Sequence, residues 1–304
     1  MFKRIFFLLN VLLFLLVTFP VLTQTRAGQP AETPWLATYW NNLTLSGPPA
    51  LQRQEPTLAF NWGSDSPAPA VWPDHFSARW TRYINFTAGA YRFTTTADDG
   101  LRLWLDDQSL IDDWSDHAAH TLTIERNVTA GPHLLTVEYY EKDGQAAASV
   151  KWELLPITDW RGEYFNNPWL EGNPALVRND LAVDFNWGSD APAPGIIGAD
   201  GFAARWTRTL DLPAGHYRFT ATADDGFRLW VNGRLLIYAW QIQAATTHTA
   251  DLDLPGGPVE LRAEYYENSG LAAVRLTWAT VEQTTPPPTA IIVDDSDPNF
   301  VRGG

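Results

Sequence analysis

The heptapeptide FSARWTR at residues 76–82 decides the fold, because the chain repeats it as FAARWTR at residues 202–208, 126 positions later. The same spacing joins ADDG at residues 97–100 to ADDG at residues 223–226. A repeat of this length is too long for one unit of a solenoid, so each copy is the size of a domain. The 304 residues are enough for about two ordinary domains.

Within each copy, apolar residues alternate with polar ones. Residues 91–95, 101–105 and 150–153 follow this period of two, which predicts half-buried β-strands. Asn232-Gly233 is typical of a two-residue hairpin turn, because both residues tolerate a positive φ angle. No segment shows ten or more residues of helical period. The sequence therefore predicts an all-β fold made of two tandem β-sandwich domains.

The first residues have the pattern of a secretory signal peptide. Lys3 and Arg4 precede an apolar run at residues 5–22, and small residues lead to a cleavage site after Ala27. An uncleaved membrane anchor is the alternative, since about 18 apolar residues can just span a bilayer. We expect a secreted or cell-surface protein that meets a membrane only through this segment, if the segment is uncleaved.

The complete division of the chain has five parts. They are a signal peptide at residues 1–27, a first β-sandwich at 33–155, a second β-sandwich at 157–282, a Pro/Thr linker at 283–289 and the incomplete start of a third β-domain at 290–304.

Composition excludes several classes of function. The chain has no cysteine, which rules out disulfide scaffolds, thiol catalysis and cysteine-bound zinc. Its formal net charge of −14 argues against a nucleic-acid partner, since binding to a phosphate backbone needs a basic surface.

The repeated motifs resemble one known family. In the first copy they are FSARW at 76–80, GAYRF at 89–93, ADDG at 97–100, LW at 103–104, EYY at 138–140 and Trp152. They are similar to the signature of the PA-fourteen domain family, named after the anthrax-toxin protective antigen, and they recur in the second copy. The resemblance implies a β-sandwich of adhesins, toxins and glycosidases, and carbohydrate binding in several branches. Residues 290–304 resemble the start of a golvesin or xanthan-lyase C-terminal-like domain.

The paired acids Asp98-Asp99 and Asp224-Asp225 are the candidate site residues. Two adjacent carboxylates at a turn offer hard oxygen ligands that suit Ca²⁺. In the sugar-binding adhesin branch, the matching pair is joined by a cis peptide bond and holds calcium, so the resemblance implies a metal and carbohydrate site at both pairs. That branch also uses an Asn from a later loop, for which Asn268 is a candidate. The alternative is a metal-free turn, where Asp is favoured for local hydrogen bonding.

Further acids predict that the first copy holds the stronger cation site. They are Asp106, Asp107, Asp112, Asp113 and Asp116, and the second copy has no acid at the corresponding positions. A solvated acidic loop is the alternative interpretation.

Two tryptophans are candidate sugar-stacking residues. Trp114 and Trp240 follow the second hairpin strand of each copy, where an exposed indole ring could stack on a sugar face. Packing in the core is the alternative for both. Core packing is also what we expect for the pair Trp80 and Trp206, and for the pair Trp152 and Trp278 near the end of each copy.

No catalytic constellation is evident, so we expect no enzyme unless a catalytic domain lies outside this chain. Glu138 and Glu141 belong to one strand and its end, as do Glu264 and Glu267, and neither pair has a facing partner across a cleft. None of the six histidines recurs in both copies, and none forms a spacing such as HExxH.

These observations favour a secreted or cell-surface, non-catalytic tandem module that binds carbohydrate with the help of Ca²⁺. The expected partner is an extracellular glycan or a cell-wall polysaccharide. Two alternatives remain open. The first is a structural spacer or adhesion scaffold without a ligand, and the second is the accessory part of a polysaccharide-degrading enzyme.

Overall fold

The computed structural model describes residues 33–282, and this part of the chain is built from β-strands without a helix. Accordingly, nothing in residues 33–282 has the length and apolarity of a membrane-spanning helix. The expected signal peptide at 1–27, the linker at 283–289 and the golvesin-like start at 290–304 lie outside the described residues.

The first copy contains ten strands. In chain order they are β1 Trp35–Trp40, β2 Leu51–Glu55, β3 Ala59–Gly63, β4 Phe76–Phe86, β5 Gly89–Asp98, β6 Leu101–Leu105, β7 Gln108–Asp113, β8 His120–Val128, β9 Gly131–Glu141 and β10 Ala146–Leu154.

The second copy repeats the set. Its strands are β11 Trp160–Phe165, β12 Leu176–Asp180, β13 Asp184–Gly188, β14 Phe202–Leu212, β15 Gly215–Asp224, β16 Gly226–Val231, β17 Arg234–Ala239, β18 Thr246–Leu254, β19 Gly257–Glu267 and β20 Ala272–Thr280.

Each copy is a sandwich of two antiparallel sheets. In the first copy a six-stranded sheet has the order β2-β1-β4-β9-β6-β7, and a four-stranded sheet has the order β3-β10-β5-β8. The second copy has the same orders, β12-β11-β14-β19-β16-β17 and β13-β20-β15-β18. The all-β tandem sandwich predicted from the sequence is confirmed. The predicted turn at Asn232-Gly233 joins β16 to β17, and both residues have a positive φ angle.

The alternation of apolar and polar residues places one face of each strand in a core. Along β5, buried and half-buried residues alternate throughout, because the inward face packs against the opposite sheet. Trp80 and Trp206 are fully buried in equivalent positions, and Trp152 and Trp278 pack against the edges of the two cores. The expectation that these four tryptophans serve packing is confirmed.

Each core also contains one buried carboxylate that the sequence analysis did not single out. Glu55 accepts hydrogen bonds from Tyr39 Oη at 2.7 Å and from Trp80 Nε1 at 2.6 Å. In the second copy, Asp180 accepts them from Tyr164 Oη at 2.6 Å and from Trp206 Nε1 at 2.8 Å.

The two copies touch through an edge strand. β12, at the edge of the second copy's larger sheet, contacts β5 and β8 of the smaller sheet of the first copy. Val177 of β12 is buried, although its neighbour Leu176 is the residue that points into the second core. The corresponding residue of the first copy, Gln52, is exposed. The difference indicates that Val177 is covered by the first copy.

Candidate functional site

Both Asp pairs lie where the chain crosses from one sheet of the sandwich to the other. Asp98 ends β5 and Asp224 ends β15, and the strand that follows each turn belongs to the larger sheet. The peptide bond between Asp224 and Asp225 is cis, whereas in the first copy Asp99 has a φ angle of 60°. The two turns therefore occupy the same place in the fold with different backbone conformations.

The second Asp of each pair fastens the turn to the neighbouring segments. Asp99 Oδ1 accepts a hydrogen bond from the backbone N–H of His117 at 3.1 Å, and Oδ2 accepts one from that of Lys142 at 2.8 Å. Asp225 does the same with Gln243 at 3.0 Å and Asn268 at 2.9 Å. These bonds are the local role that the metal-free alternative assigns to Asp.

In the second copy a third carboxylate joins the pair. One oxygen each of Asp224, Asp225 and Glu267 lie within 4.8 Å of one another. Glu267 is fully buried, and its Oε2 accepts a hydrogen bond from Tyr265 Oη at 2.9 Å. Its Oε1 is buried without a hydrogen-bond partner. An unpaired buried oxygen is costly, and a cation would relieve that cost.

The electrostatics of this cluster favour a positive charge. Burial raises the pKa of Glu267 to about 7, and the charges of Asp225 and Asp224 add to the effect. Burial, followed by the charge of Asp225, also raises the pKa of Asp224. Glu267 and Asp224 thus resist ionisation beside Asp225, and a divalent ion that takes oxygen ligands can stabilise their charged forms.

The first copy has a similar buried acid but a different neighbour. Glu141 is fully buried, its Oε1 has no hydrogen-bond partner, and burial raises its pKa to about 8. Lys142 stands where the second copy has Asn268, and its ammonium group pairs with Asp116. The first copy therefore already carries a positive charge beside its Asp pair.

The additional acids of the first copy do not form one cluster around that pair. Asp106 and Asp107 form the β6–β7 turn, at the opposite end of the hairpin from Asp113, which pairs with Leu101. Asp116 is bound by Lys142 and by Tyr140 Oη at 2.7 Å. These acids therefore do not favour the first copy as the stronger cation site.

Both candidate stacking residues are half-buried and partly covered. The Arg102 guanidinium lies over the ring of Trp114, 3.9 Å from its centroid, and Tyr140 packs against it edge-to-face. Trp240 has the same contacts with Arg228, at 4.0 Å, and with Tyr266. One face of each indole is thus occupied by an arginine and is closed to a sugar.

Two of the glutamates considered for glycosidase chemistry are bound by arginines. Glu138 accepts hydrogen bonds from Arg79 and Arg102, and Glu264 accepts them from Arg205 and Arg228. Both oxygens of each carboxylate are therefore engaged by guanidinium groups, which leaves neither glutamate free to act on a substrate.

The structure also groups three residues that the sequence analysis did not connect. Asp113, His117 and His120 bring one ligand atom each within 4.8 Å of the others. The spacing Asp-x₃-His-x₂-His was the available signal. Its meaning depends on how β7 and β8 are placed, and histidine spacing alone does not reveal that.

A family profile matches most of the chain. The profile described as the PA14 (PA-fourteen) domain matches residues 33–159 and again residues 161–290. A curated relative, named as anti-sigma-I factor RsgI3 of Acetivibrio thermocellus, is 38% identical over 125 residues, which cover 40% of this chain and 19% of the relative. The chain thus matches about a fifth of the length of that relative.

Two solved structures are among those that the chain matches. One is an anti-sigma factor domain-containing protein from Clostridium clariflavum, with 27% identity, coverage of 82% of this chain and 95% of that chain, and a TM-score of 0.38. The other is described as a PA14 sugar-binding domain from an RTX adhesin, with 21% identity, coverage of 41% of this chain and 91% of that chain, and a TM-score of 0.33.

Proposed function

The chain belongs to the PA14 domain family, and we propose from this premise that its two copies form an extracellular, non-catalytic module that binds carbohydrate with the help of calcium. The expected ligand is an extracellular glycan or a cell-wall polysaccharide. The family membership supports a carbohydrate as the ligand, and the carboxylates of the second copy support a site at that turn.

The observation that carries the proposal is the buried Oε1 of Glu267, which has no hydrogen-bond partner and belongs to the same cluster as Asp224 and Asp225. Ca²⁺ takes about six to eight oxygen ligands in flexible geometry. The three carboxyl groups would hold the ion. Asn268 lies beside Asp225, and its side-chain carbonyl oxygen would be a further ligand. Calcium supplies open coordination positions that sugar hydroxyls can fill.

We propose the second copy as the principal calcium site. Its cluster contains three acids and a neutral Asn268, whereas the first copy places the ammonium of Lys142 next to its Asp pair. A cation already present lowers the attraction for a second one. Asp98 and Asp99 are proposed as the weaker site.

A non-catalytic role is supported by the binding of Glu138 and Glu264 to two arginines each. A second candidate role is the ligand-binding part of a regulatory protein. It is favoured by the 38% identity with a relative whose name is that of an anti-sigma-I factor. Both roles require the module to bind a ligand, so one binding experiment addresses both.

The test is a glycan array probed with the tandem protein in calcium and again in a chelator. We expect binding that the chelator removes. Asp224→Asn is the sharpest variant, because Asp225 also fastens the turn through two backbone N–H groups. It should lose binding, Asp98→Asn should lose less, and Asp211→Asn, at an exposed acid of β14, should bind like the wild type.

Two outcomes would contradict the proposal. Binding that persists in the chelator would show a carbohydrate module without calcium. Absence of binding to plant, bacterial and fungal polysaccharides in calcium would favour the structural spacer instead.

A further inference from the structure

The loop between β7 and β8 brings Asp113, His117 and His120 together at one end of the first copy. Asp113 is the last residue of β7 in the larger sheet, and His120 is the first residue of β8 in the smaller sheet. Asp113 Oδ2 lies 3.0 Å from His117 Nε2 and 2.7 Å from His120 Nε2, and the two rings are 3.9 Å apart. The three side chains thus meet across the opening between the two sheets.

His117 is held with one ring nitrogen close to Asp113. Its backbone N–H donates to Asp99 Oδ1, and its carbonyl accepts from the backbone N–H of Asp99 at 2.8 Å, so the loop is fixed on both sides. Its Nδ1 lies 3.0 Å from the carbonyl oxygen of Ala118, which can only accept a hydrogen bond. Nδ1 therefore carries the ring hydrogen, which leaves Nε2, 3.0 Å from Asp113 Oδ2, as the acceptor nitrogen.

This acceptor nitrogen has no hydrogen-bond donor beside it. His117 Nε2 is buried without a hydrogen-bond partner, and the oxygen 3.0 Å away belongs to a carboxylate, which is also an acceptor. Two acceptors at this distance require a cation between or upon them. A metal ion bound by all three residues would supply that positive charge.

The arrangement resembles the surroundings that metal ligands have in proteins. A ligating histidine commonly donates its other ring N–H to a backbone carbonyl, as His117 does to Ala118. Asp113 is oriented by Ser115, whose Oγ donates to Oδ1 at 3.3 Å and leaves Oδ2 for the cluster. Ligand atoms around tetrahedral zinc are separated by about 3.3 Å, because each bond is about 2.0 Å long. The observed 3.0 and 2.7 Å are shorter than that separation, so the side chains would move slightly apart to admit the ion.

We infer that Asp113, His117 and His120 form a binding site for one divalent transition-metal ion of the zinc class. Two imidazoles and one carboxylate are ligands that suit Zn²⁺, whereas Ca²⁺ prefers oxygen alone. The side chains of His120 and Asp113 are 42% and 22% exposed, so water can enter and complete the coordination. The site is independent of the proposed calcium and carbohydrate function.

The second copy provides a natural comparison. Ala239 pairs with Phe227 as Asp113 pairs with Leu101, and Thr246 pairs with Ala223 as His120 pairs with Ala97. Gln243 donates its backbone N–H to Asp225 as His117 does to Asp99. The positions are equivalent in structure, and the second copy has no metal ligand of this kind at Ala239 or Thr246. The inferred ion therefore belongs to the first copy alone.

The experiment is a titration of the tandem protein with Zn²⁺ by calorimetry, in buffer that contains millimolar Ca²⁺ to fill oxygen-only sites. We expect one zinc ion per chain and a higher thermal midpoint, because the ion would link both sheets to the loop. His117→Gln/His120→Thr, which installs the residues of the second copy, should weaken zinc binding at least tenfold. His133→Gln, which removes a His–Asp pair that has no third ligand in the described residues, should bind as the wild type does.

Three results would overturn the inference. They are no zinc uptake by the wild type at micromolar concentration, equal uptake by the double variant, or oxygen-only ligation in X-ray absorption at the zinc edge of the wild-type complex. The absorption measurement needs no variant, so it decides the matter even where a variant fails to fold.

Discussion

At the scale of single residues, the buried carboxylates Glu55 and Asp180 show how the two cores tolerate a charge. Asp180 Oδ1 accepts a hydrogen bond from Arg178 Nε at 2.7 Å, and Oδ2 accepts from Tyr164 and Trp206. The three side chains that donate to Asp180 therefore share this one carboxylate as their acceptor. A buried ion with complete partners is tolerated, but removing one partner leaves the others uncompensated.

Asp180→Ala should therefore destabilise the second copy by about 3–5 kcal/mol, because Arg178, Tyr164 and Trp206 would lose their acceptor inside the core. Urea denaturation followed by tryptophan fluorescence measures the change. Glu125→Ala is the control, since Glu125 forms only an exposed pair with Arg92 and should cost less than about 1 kcal/mol. An equal effect of the two changes would contradict this account.

The buried acids Glu141 and Glu267 predict how stability depends on pH. Their pKa values are raised by burial from the ordinary 4.5 to about 8 and about 7, so the folded chain keeps protons that the unfolded chain releases. Between about pH 5 and about pH 8 the free energy of unfolding should fall as pH rises, because the folded state binds more protons there.

Glu141→Gln/Glu267→Gln should flatten this decline, since glutamine does not titrate, and the variant should gain on the wild type toward pH 8. Denaturation curves at several pH values, in a chelator that removes divalent ions, give the comparison. Glu125→Gln, at an exposed site, should leave the slope of the wild type unchanged. A slope that survives in the double variant would show that other groups cause it.

At the scale of elements, the turn after each Asp pair is fixed by the glycine that follows it. A Cβ atom at Gly226 would lie 2.0 Å from Cε1 of Tyr266, and at Gly100 it would lie 2.2 Å from Cε1 of Tyr140. The tyrosine ring covers the glycine and in turn packs edge-to-face against Trp240 or Trp114. Glycine is thus required at both turns for space.

Gly226→Ala should destabilise the protein by about 1–3 kcal/mol, because the added methyl group forces the ring of Tyr266 out of its place. Gly215→Ala, at the start of β15, is the matched control. Its added Cβ would come no closer than 3.3 Å to any neighbouring atom, and a small shift of the Tyr217 ring would relieve this contact. Thermal melts of the two variants compare the effects, and a Gly226 variant as stable as the control would refute the steric argument.

The strands were predictable from sequence, and the site was predictable only in part. The alternation in β5 and the repeated motifs identify the sandwich, because a period of two is a local property. The approach of Glu267 to Asp225 is set by the pairing of β16 with β19, between residues that are far apart in sequence. The meeting of His120 with Asp113 depends in the same way on the register that sets His120 opposite Ala97. Local patterns do not specify such pairings.

At the scale of the whole molecule, the contact of β12 with β5 and β8 joins the two copies. Val177 is 4% exposed there, while the neighbouring Leu181 is 79% exposed. Burying a valine is worth about 1.5–3 kcal/mol, so this one residue is a substantial part of a small contact.

Val177→Asp should loosen the two copies from each other while leaving each sandwich folded, because it places an unpaired carboxylate in the contact. We expect faster proteolysis at the junction near Pro156 and a larger radius of gyration in solution scattering. Leu181→Asp, at the exposed neighbour, should behave like the wild type. Cleavage of Val177→Asp at the rate of the wild type would show that β12 does not hold the copies together.

The contact of β12 with the first copy affects avidity, which is the gain in affinity when both copies bind one polymer. If both Asp turns bind a polymer, the second binding event is intramolecular, and its effective concentration depends on the distance that β12 imposes between the turns. A polysaccharide whose binding units recur at the matching interval would bind much more tightly than its isolated unit. A polysaccharide with another interval would gain little affinity. Selectivity among polysaccharides built from the same sugar would then reside in the spacing of the two sandwiches.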